Sequence, residues 1–398
     1  CARPDSDLVR RCLRMATLLL TPNNKEVQEF FGNYFLNVDD YMLWRLFREE
    51  IESVCVTIKP VRFLKRLARE SAGMSRQEVL TSEECETLQM FSDNVRTLEG
   101  ALQFLRLLCE GHNERVQRYI FQQVDNSDSI NLLEKIKGLC LKICKNEVAA
   151  DVCDEEDVDI MTKCFELLVE ATTRPDPRNQ LFLSTSGIVE GVLKMLHARF
   201  LLLRRESDED GGECYPQVTR QLKAQVSLLM LVLLELRHDD EVHRTLVIRT
   251  DAALLRKRLV FVHRWFLSRH LGLGNQPHAC RTEDWACTLD DPSQDDGIPA
   301  QTDVTSIQQL EGYSEEALLD LFEEAFNITL LIHQLRPHDE KFKADIEPAV
   351  PPFDGSLKMR TSEAAFAQAK TAFEMACKFR EAYLFFDSWI KMIEVSVD

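Results

Sequence analysis

Apolar residues recur at intervals of three and four positions over most of this 398-residue chain, the spacing that places them on one face of an α-helix. The predicted helices cover residues 7–20, 39–58, 61–69, 94–109, 114–123, 129–145, 157–172, 188–203, 218–236, 241–248, 252–269, 314–335 and 363–387. Alternation of β-branched residues, which is typical of a strand, occurs only at 390–397. The pattern therefore predicts an all-α fold with one candidate β-strand at its C-terminal end.

Successive helices joined by short connectors favour an armadillo-like α-solenoid, a superhelical stack of helical repeats. No internal repeat is evident at this level, so a helical bundle is the alternative. Pro60 is expected to lie in the first turn of the helix at 61–69. The acidic stretch 205–213 is expected to be a loop, and 271–303, with its glycines, prolines and acids, a linker or insertion.

A formal net charge of −18 is spread over many of these helices. Such a surface repels nucleic acids and anionic membranes, so we expect no nucleic-acid partner. No apolar run reaches the roughly 20 residues that cross a bilayer, and we expect no membrane span in this chain. The 13 cysteines are scattered among helical patterns, and Cys109, Cys140, Cys144, Cys164 and Cys377 have apolar neighbours. These five read as reduced core thiols, which favours a cytosolic compartment.

Four blocks in sequence order carry a resemblance to a known family. They are Leu102-Gln-Phe-Leu-Arg-Leu-Leu-Cys-Glu-Gly-His-Asn-Glu-Arg-Val-Gln117, the run 165–170 followed by Asn179-Gln180, the run 233–239, and the run 327–340. Together they resemble the associated homology domain, the third armadillo-like cytosolic domain, of ryanodine and inositol trisphosphate receptors. The third and fourth blocks are more similar to the inositol trisphosphate receptor branch.

The resemblance implies a domain organisation and a role. It implies preceding solenoid helices at 1–92, the associated homology domain at 93–270, further helices at 304–388 and the start of a juxtamembrane region at 389–398. It also implies a non-enzymatic, cytosolic regulatory module of a homotetrameric calcium-release channel. The expected partners are other domains of that channel, including its C-terminal pore region, at the cytosolic face of the endoplasmic reticulum or a related store membrane.

The resemblance further implies that Glu170 and Glu235 contribute carboxylates to an activating calcium site. Calcium takes six to eight oxygen ligands, so two glutamates leave the site incomplete in this chain. His238 follows Glu235 by three residues and is a candidate for a contact behind the ligands. For the glutamates the alternative is a solvated or salt-bridged helix end, and for His238 an ordinary, partly buried histidine.

The sequence contains none of the common motifs of nucleotide-binding proteins, serine hydrolases or zinc proteases. The chain has no Walker-type glycine loop, no Gly-x-Ser-x-Gly and no His-Glu-x-x-His. The basic residues between 59 and 69 make a cationic helix face, either solvated or available to an acidic partner or a phosphate. The rival to the channel hypothesis is therefore a passive helical scaffold that binds other proteins and no ion.

Overall fold

The computed structural model of the protein describes residues 6–21, 24–37, 42–70, 80–123, 129–144, 155–173, 177–197, 217–235, 240–255, and positions 324, 327–328, 330–332 and 334–346. Every regular element among these residues is helical. The helices, numbered in chain order, are α1 Ser6–Leu20, α2 Lys25–Asn37, α3 Met42–Glu70, α4 Ser82–Cys109, α5 Glu114–Phe121, α6 Leu132–Cys144, α7 Glu155–Glu170, α8 Pro177–Thr185, α9 Ile188–His197, α10 Gln217–Val232, α11 Asp240–Arg249 and α12 Glu340–Ile346. A 3₁₀ turn, Arg336–His338, precedes α12.

The helices are organised in repeats of three. Repeat I contains α2, α3 and α4; repeat II contains α5, α6 and α7; repeat III contains α8, α9 and α10. The third helices stack on one another in the order α1, α4, α7, α10, and the second helices in the order α3, α6, α9. The first helices α5, α8 and α11 also form a row. The predicted all-α solenoid is confirmed.

Repeats I and II each begin at a side-chain cap. The amide of Val27 donates to Asn24 Oδ1 at the start of α2, and the amide of Val116 donates to Asn113 Oδ1 at the start of α5. A side-chain oxygen at this position satisfies one of the amides that a helix start leaves without a partner. The caps show a repeat that the sequence analysis missed, since both belong to the pattern Asn-x-x-Val-Gln.

An aromatic cluster forms the core of repeat I. The ring of Phe104 on α4 lies 5.3 Å from that of Phe31 on α2 and 6.2 Å from that of Phe47 on α3. Trp44 on α3 contacts Tyr119 on α5 at 5.1 Å, which carries the cluster into repeat II. Edge-to-face geometry is favourable between such rings. The core is therefore continuous from one repeat to the next.

The helix α4 begins twelve residues before its predicted start at residue 94. Thr81 accepts a hydrogen bond from the amide of Glu84, while the Glu84 carboxylate accepts one from the amide of Thr81. This reciprocal capping box, Thr-x-x-Glu, was visible in the sequence and should have marked the helix start. Its hydrogen bond to the Thr81 backbone lowers the pKa of the Glu84 carboxyl.

The prediction that a new helix begins at Pro60 is wrong. Pro60 lies inside the continuous helix α3. A proline there removes the amide that would donate to the carbonyl of Val56. Both residues are exposed, so water can bond that carbonyl and the helix continues past the proline.

The short helices α2, α8 and α12 were not predicted. For α2 the signal was present, since Val27, Phe30, Phe31, Tyr34 and Phe35 recur at intervals of three and four residues. Several predictions fall outside the described residues: the loop at 205–213, the linker at 271–303, the helix at 363–387 and the strand at 390–397. The domain boundaries stay predictions. Among the helices described, none combines the length and apolar character needed to cross a bilayer.

A buried ion pair joins repeats I and II. Arg62 Nε on α3 donates to Asp157 Oδ2 on α7 at 2.7 Å, and its Nη1 donates to the carbonyl of Ile143. Lys65 pairs with Glu156 at 2.6 Å beside it. Two residues of the basic stretch on α3 therefore hold the solenoid together, an outcome that neither sequence interpretation included.

Substitution of Arg62 by Ala should leave the Asp157 carboxylate buried without its cation. We expect the free energy of unfolding to fall by about 3–5 kcal/mol, measured by urea denaturation. The matched control is Arg249→Ala, because Arg249 pairs with Glu190 at the same 2.7 Å distance but on the surface. That control should cost no more than about 1 kcal/mol. Equal losses in the two variants would contradict the assignment.

Candidate functional site

Three glutamine side chains hold the C-terminal ends of three stacked helices in the same way. Gln28 Nε2 donates to the carbonyls of Leu107 and Glu110 at 2.7 and 3.0 Å. All three glutamines are buried, and each carboxamide bridges two carbonyls that are three residues apart. We call this arrangement the glutamine clamp.

The second and third clamps hold the two sequence-predicted calcium ligands by their backbones. Gln117 Nε2 donates to the carbonyls of Glu170 and Thr173 at 2.7 and 3.0 Å. Gln180 Nε2 donates to those of Val232 and Glu235 at the same two distances. Each of these backbone oxygens accepts a clamp hydrogen bond, and the carboxylates of Glu170 and Glu235 are the charged oxygens that the two residues can offer to a cation.

Asn179 connects the two clamps. Its Nδ2 donates to the carbonyls of Gln117 and Ala171, both at 3.0 Å. Asn179 is followed by Gln180, so one turn of α8 reaches the middle of α5 and the C-terminal ends of α7 and α10. The amide oxygens of Gln117, Asn179 and Gln180 are buried and have no hydrogen-bond partner among the described residues. Buried oxygens of this kind are the usual partners of internal water.

Glu170 is the last residue of α7 and is half-buried. Burial raises the pKa of its carboxyl above the ordinary value. Arg106 opposes this increase, while the like charges of Glu110 and Glu166 add to it. A carboxylate held in such surroundings is unfavourable unless a cation compensates it.

Glu235 lies in the turn that follows α10 and is also half-buried. Its amide donates to the carbonyl of Val232 at 3.3 Å, which tightens the end of the helix. The prediction that α10 continues to residue 236 is therefore too long, because the chain already turns at Leu233. Leu233 and Leu234 are fully buried, and their burial fixes the position of the Glu235 backbone.

The fold brings the two glutamates to equivalent ends of neighbouring helices. Because α7 and α10 stack side by side, the C-terminal end of each lies at the same edge of the solenoid. The carbonyl end of a helix carries partial negative charge, which disfavours carboxylates and favours cations. Glu110, at the end of α4, adds a third carboxylate to this row. The edge can therefore attract a cation.

The described residues do not form a complete metal site. No group of three or more His, Cys, Asp or Glu side chains among them could hold a metal ion. Calcium takes six to eight oxygens, so a site with Glu170 and Glu235 needs further oxygens from elsewhere, and the calcium site stays a prediction. His238 and Arg237 lie outside the described residues, as does the proline-containing turn at 174–176.

The sequence analysis did not single out the clamp glutamines. The signal was present: the pattern Asn-x-x-Val-Gln occurs at 24–28 and 113–117, and at 176–180 Asp replaces its Asn and Asn replaces its Val. A fourth copy, at 239–243, ends in His243 instead of glutamine. The His243 ring stacks on that of His338 at 4.4 Å, next to the 3₁₀ turn. The repeat therefore continues with a changed residue in the clamp position.

The predicted core thiols are confirmed where they are described. Cys109, Cys140 and Cys164 are buried and free. A hydrogen bond with Cys164, together with burial, raises the pKa of Cys140, and burial raises that of Cys109. Protonated, inaccessible thiols are poor nucleophiles. The side chains of Cys144 and Cys377 lie outside the described part.

Comparison with protein families matches residues 92–196 to the family described as RyR and IP3R homology associated. These residues are thus similar to the RyR and IP3R homology associated domain. The predicted resemblance is therefore confirmed for this segment, which runs from α4 to α9. It includes Glu170, Gln117 and Asn179, whereas Glu235 lies beyond it.

A curated relative supports the inositol trisphosphate receptor branch. The chain is 25% identical over 151 residues to the inositol 1,4,5-trisphosphate receptor of Caenorhabditis elegans. The aligned part covers 37% of this chain and 5% of that receptor. The chain thus resembles one small part of a much longer protein.

Replacing Glu170 by Gln should stabilise the isolated chain at neutral pH. The raised pKa means that folding disfavours the ionised carboxyl, and this cost disappears once both the folded and unfolded states are protonated. We therefore expect a higher Tm for Glu170→Gln at pH 7.5, with an advantage that shrinks as the pH falls through the raised pKa and is lost below the ordinary glutamate value. Thermal unfolding from pH 7.5 to 3.5 measures it, and a lower Tm at pH 7.5 would contradict the expected cost.

Proposed function

We propose that this chain is a cytosolic regulatory part of an intracellular calcium-release channel, in which Glu170 and Glu235 contribute carboxylates to an activating calcium site. The observation that carries the proposal is their placement at the C-terminal ends of adjacent stacked helices. Two half-buried carboxylates there are unfavourable by themselves and become favourable when a divalent cation lies between them and other oxygens. The match of residues 92–196 to the RyR and IP3R family supports the channel assignment.

In the proposed mechanism the missing ligands come from another part of the channel, including its C-terminal pore region. Calcium then bridges that part to the edge of the solenoid. Gln117, Asn179 and Gln180 fix the ends of α7 and α10 relative to each other, so the bridged edge moves as one body. Calcium shifts the channel toward opening only by its higher affinity for the open arrangement.

The remaining parts of the proposal follow from the family. The complete channel is a homotetramer in the endoplasmic reticulum or a related calcium-store membrane, and this module faces the cytosol. The chain performs no enzymatic reaction. Its partners are neighbouring domains of the same channel.

The second candidate function is a passive helical scaffold. It is favoured by the glutamine clamps themselves, because they satisfy the helix ends without any ion. A solenoid held in this way presents an extended surface to other proteins and needs no calcium. The two functions differ in one measurable property, the calcium dependence of channel activation.

Calcium titration of the full-length channel, by single-channel recording, separates the two functions. Glu170→Gln and Glu235→Gln should each raise the calcium concentration for half-maximal activation by about tenfold or more, as expected for a disturbed metal site. The control Glu114→Gln removes an exposed carboxylate on α5 and should leave that concentration unchanged. Unchanged calcium sensitivity in both test variants would leave the scaffold as the function.

The clamps supply a second test, because the three glutamines make similar hydrogen bonds but only two of them bond the backbone of a proposed calcium ligand. Replacing Gln28, Gln117 or Gln180 by Met keeps the volume and removes both hydrogen bonds, so each variant should lose about 1–3 kcal/mol of stability. Only Gln117→Met and Gln180→Met release a proposed calcium ligand. These two should raise the half-maximal calcium concentration by about tenfold, whereas Gln28→Met should not.

The outcomes of this second test distinguish positioning from general damage. Equal calcium shifts in all three variants would show that loosening any repeat impairs the channel. No shift in any variant, with the glutamate variants still affected, would show that the clamps do not position the ligands.

A further inference from the structure

Helix α1 carries an apolar stripe that faces solvent. Leu8, Met15 and Leu19 are exposed, and Cys12 lies between them with an exposed thiol. Spacings of four, three and four residues put all four side chains on one face of the helix. A continuous stripe of this kind on a packed helix indicates a binding surface.

Comparison of the repeats shows which residues of α4 correspond to the apolar stripe of α1. Aligning the caps Asn24 and Asn113 superposes α1 on α4. Met15, 64% exposed, then corresponds to Phe104, which is 2% exposed. The other members of the stripe also correspond to buried residues of α4: Leu8 to Thr97, Cys12 to Ala101 and Leu19 to Leu108.

The residues that bury the equivalent stripe of α4 are known. Phe104 is covered by Phe31 of α2 and Phe47 of α3, which are the first and second helices of its own repeat. Helix α1 occupies the third-helix position and stacks on α4 as α4 stacks on α7. The part of the chain that the structure describes places no first and second helix of this kind against α1.

Helix α2 shows the same relation. Phe30 is 66% exposed, whereas its equivalent in repeat II, Tyr119, is 7% exposed. Tyr119 is covered by Trp44, which belongs to the second helix of the preceding repeat. The exposed ring of Phe30 thus marks the position where a second helix would pack.

The end of α1 also has a clamp position. Leu18 corresponds to Leu107, whose carbonyl accepts the Gln28 amide. In a continuing helix the carbonyl of Leu18 would be bonded by the amide of residue 22, but residue 22 is proline and has no N–H. This carbonyl is therefore suited to a side-chain amide from outside.

We propose that the surface formed by Leu8, Cys12, Met15, Leu19 and Phe30 binds a helix pair that completes the repeat of α1. The pair consists of a short helix with a glutamine or asparagine amide at the Leu18 carbonyl, and a longer helix with an aromatic residue over Phe30. In repeats I to III the first and second helices precede the third along the chain, so we assign the pair to the same polypeptide, N-terminal to α1, in the longer protein.

Labelling of Cys12 with N-ethylmaleimide tests this assignment. The 398-residue chain and the full-length protein are labelled under native conditions, and the modified peptides are quantified by mass spectrometry. Cys12 should react at least about tenfold more slowly in the full-length protein, because its reaction there requires local opening. The partly exposed Cys85 on α4 is the matched control and should react equally in both.

Each outcome decides the proposal. Protection of Cys12 in the full-length protein that is lost in a Met15→Asp, Phe30→Asp variant, with Cys85 unchanged, supports it. Equal labelling of Cys12 in the two proteins overturns it. Protection that appears in the 398-residue chain and increases with concentration also overturns it, since the occupant is then a second copy.

Discussion

The glutamine clamp is the interaction on which the rest of the solenoid depends. A third helix ends in carbonyls that no amide of its own helix can reach, and burial of that end would leave them without partners. A carboxamide nitrogen has two hydrogens, so one glutamine satisfies two carbonyls one turn apart. Gln28, Gln117 and Gln180 do this at distances that agree within 0.1 Å, as the six bonds are all 2.7 or 3.0 Å. The first helix of each repeat is thereby fixed to the third helix of the same repeat.

The same geometry makes carboxylates at this edge electrostatically unfavourable. The clamps take up the backbone oxygens but leave the glutamate side chains at the negative ends of α7 and α10. Among the described residues, Glu170 is disfavoured there by burial and by Glu110 and Glu166, and Arg106 opposes them. A sequence optimised only for packing would place neutral or basic residues at such positions. The electrostatic cost at Glu170 is the physical basis for assigning a cation to this edge.

Much of the fold could be predicted from the sequence, because long helices bury regular apolar stripes. The predicted helices at 7–20, 114–123 and 157–172 lie within two or three residues of α1, α5 and α7. The short helix α8 escaped because it has few apolar residues at helical spacing, whereas α2 has them at intervals of three and four residues and could have been predicted. The repeat escaped because its marks are single polar residues, Asn24 and Gln28 or Asn113 and Gln117, separated by long variable helices.

For the candidate site, Glu170 and Glu235 could be predicted only from the family resemblance. That they lie at equivalent ends of neighbouring helices could be seen only in the structure. The residues that hold them, Gln117, Asn179 and Gln180, lie within blocks that had been used only to recognise the family. A buried polar side chain is difficult to assign from sequence, since a glutamine on a short amphipathic helix usually faces solvent. Its role became clear only when the carbonyls of another helix were seen to meet it.

His243 occupies the fourth clamp position, where repeats I to III have a glutamine. A neutral imidazole has one N–H, so it cannot donate to two carbonyls at once as a carboxamide does. In a linear solenoid, stability is approximately the sum of the repeats and the interfaces between neighbours. Each glutamine clamp fastens the first helix of a repeat to the third helix of the same repeat. The repeat that begins with α11 therefore cannot be closed by one side chain in the way that repeats I to III are.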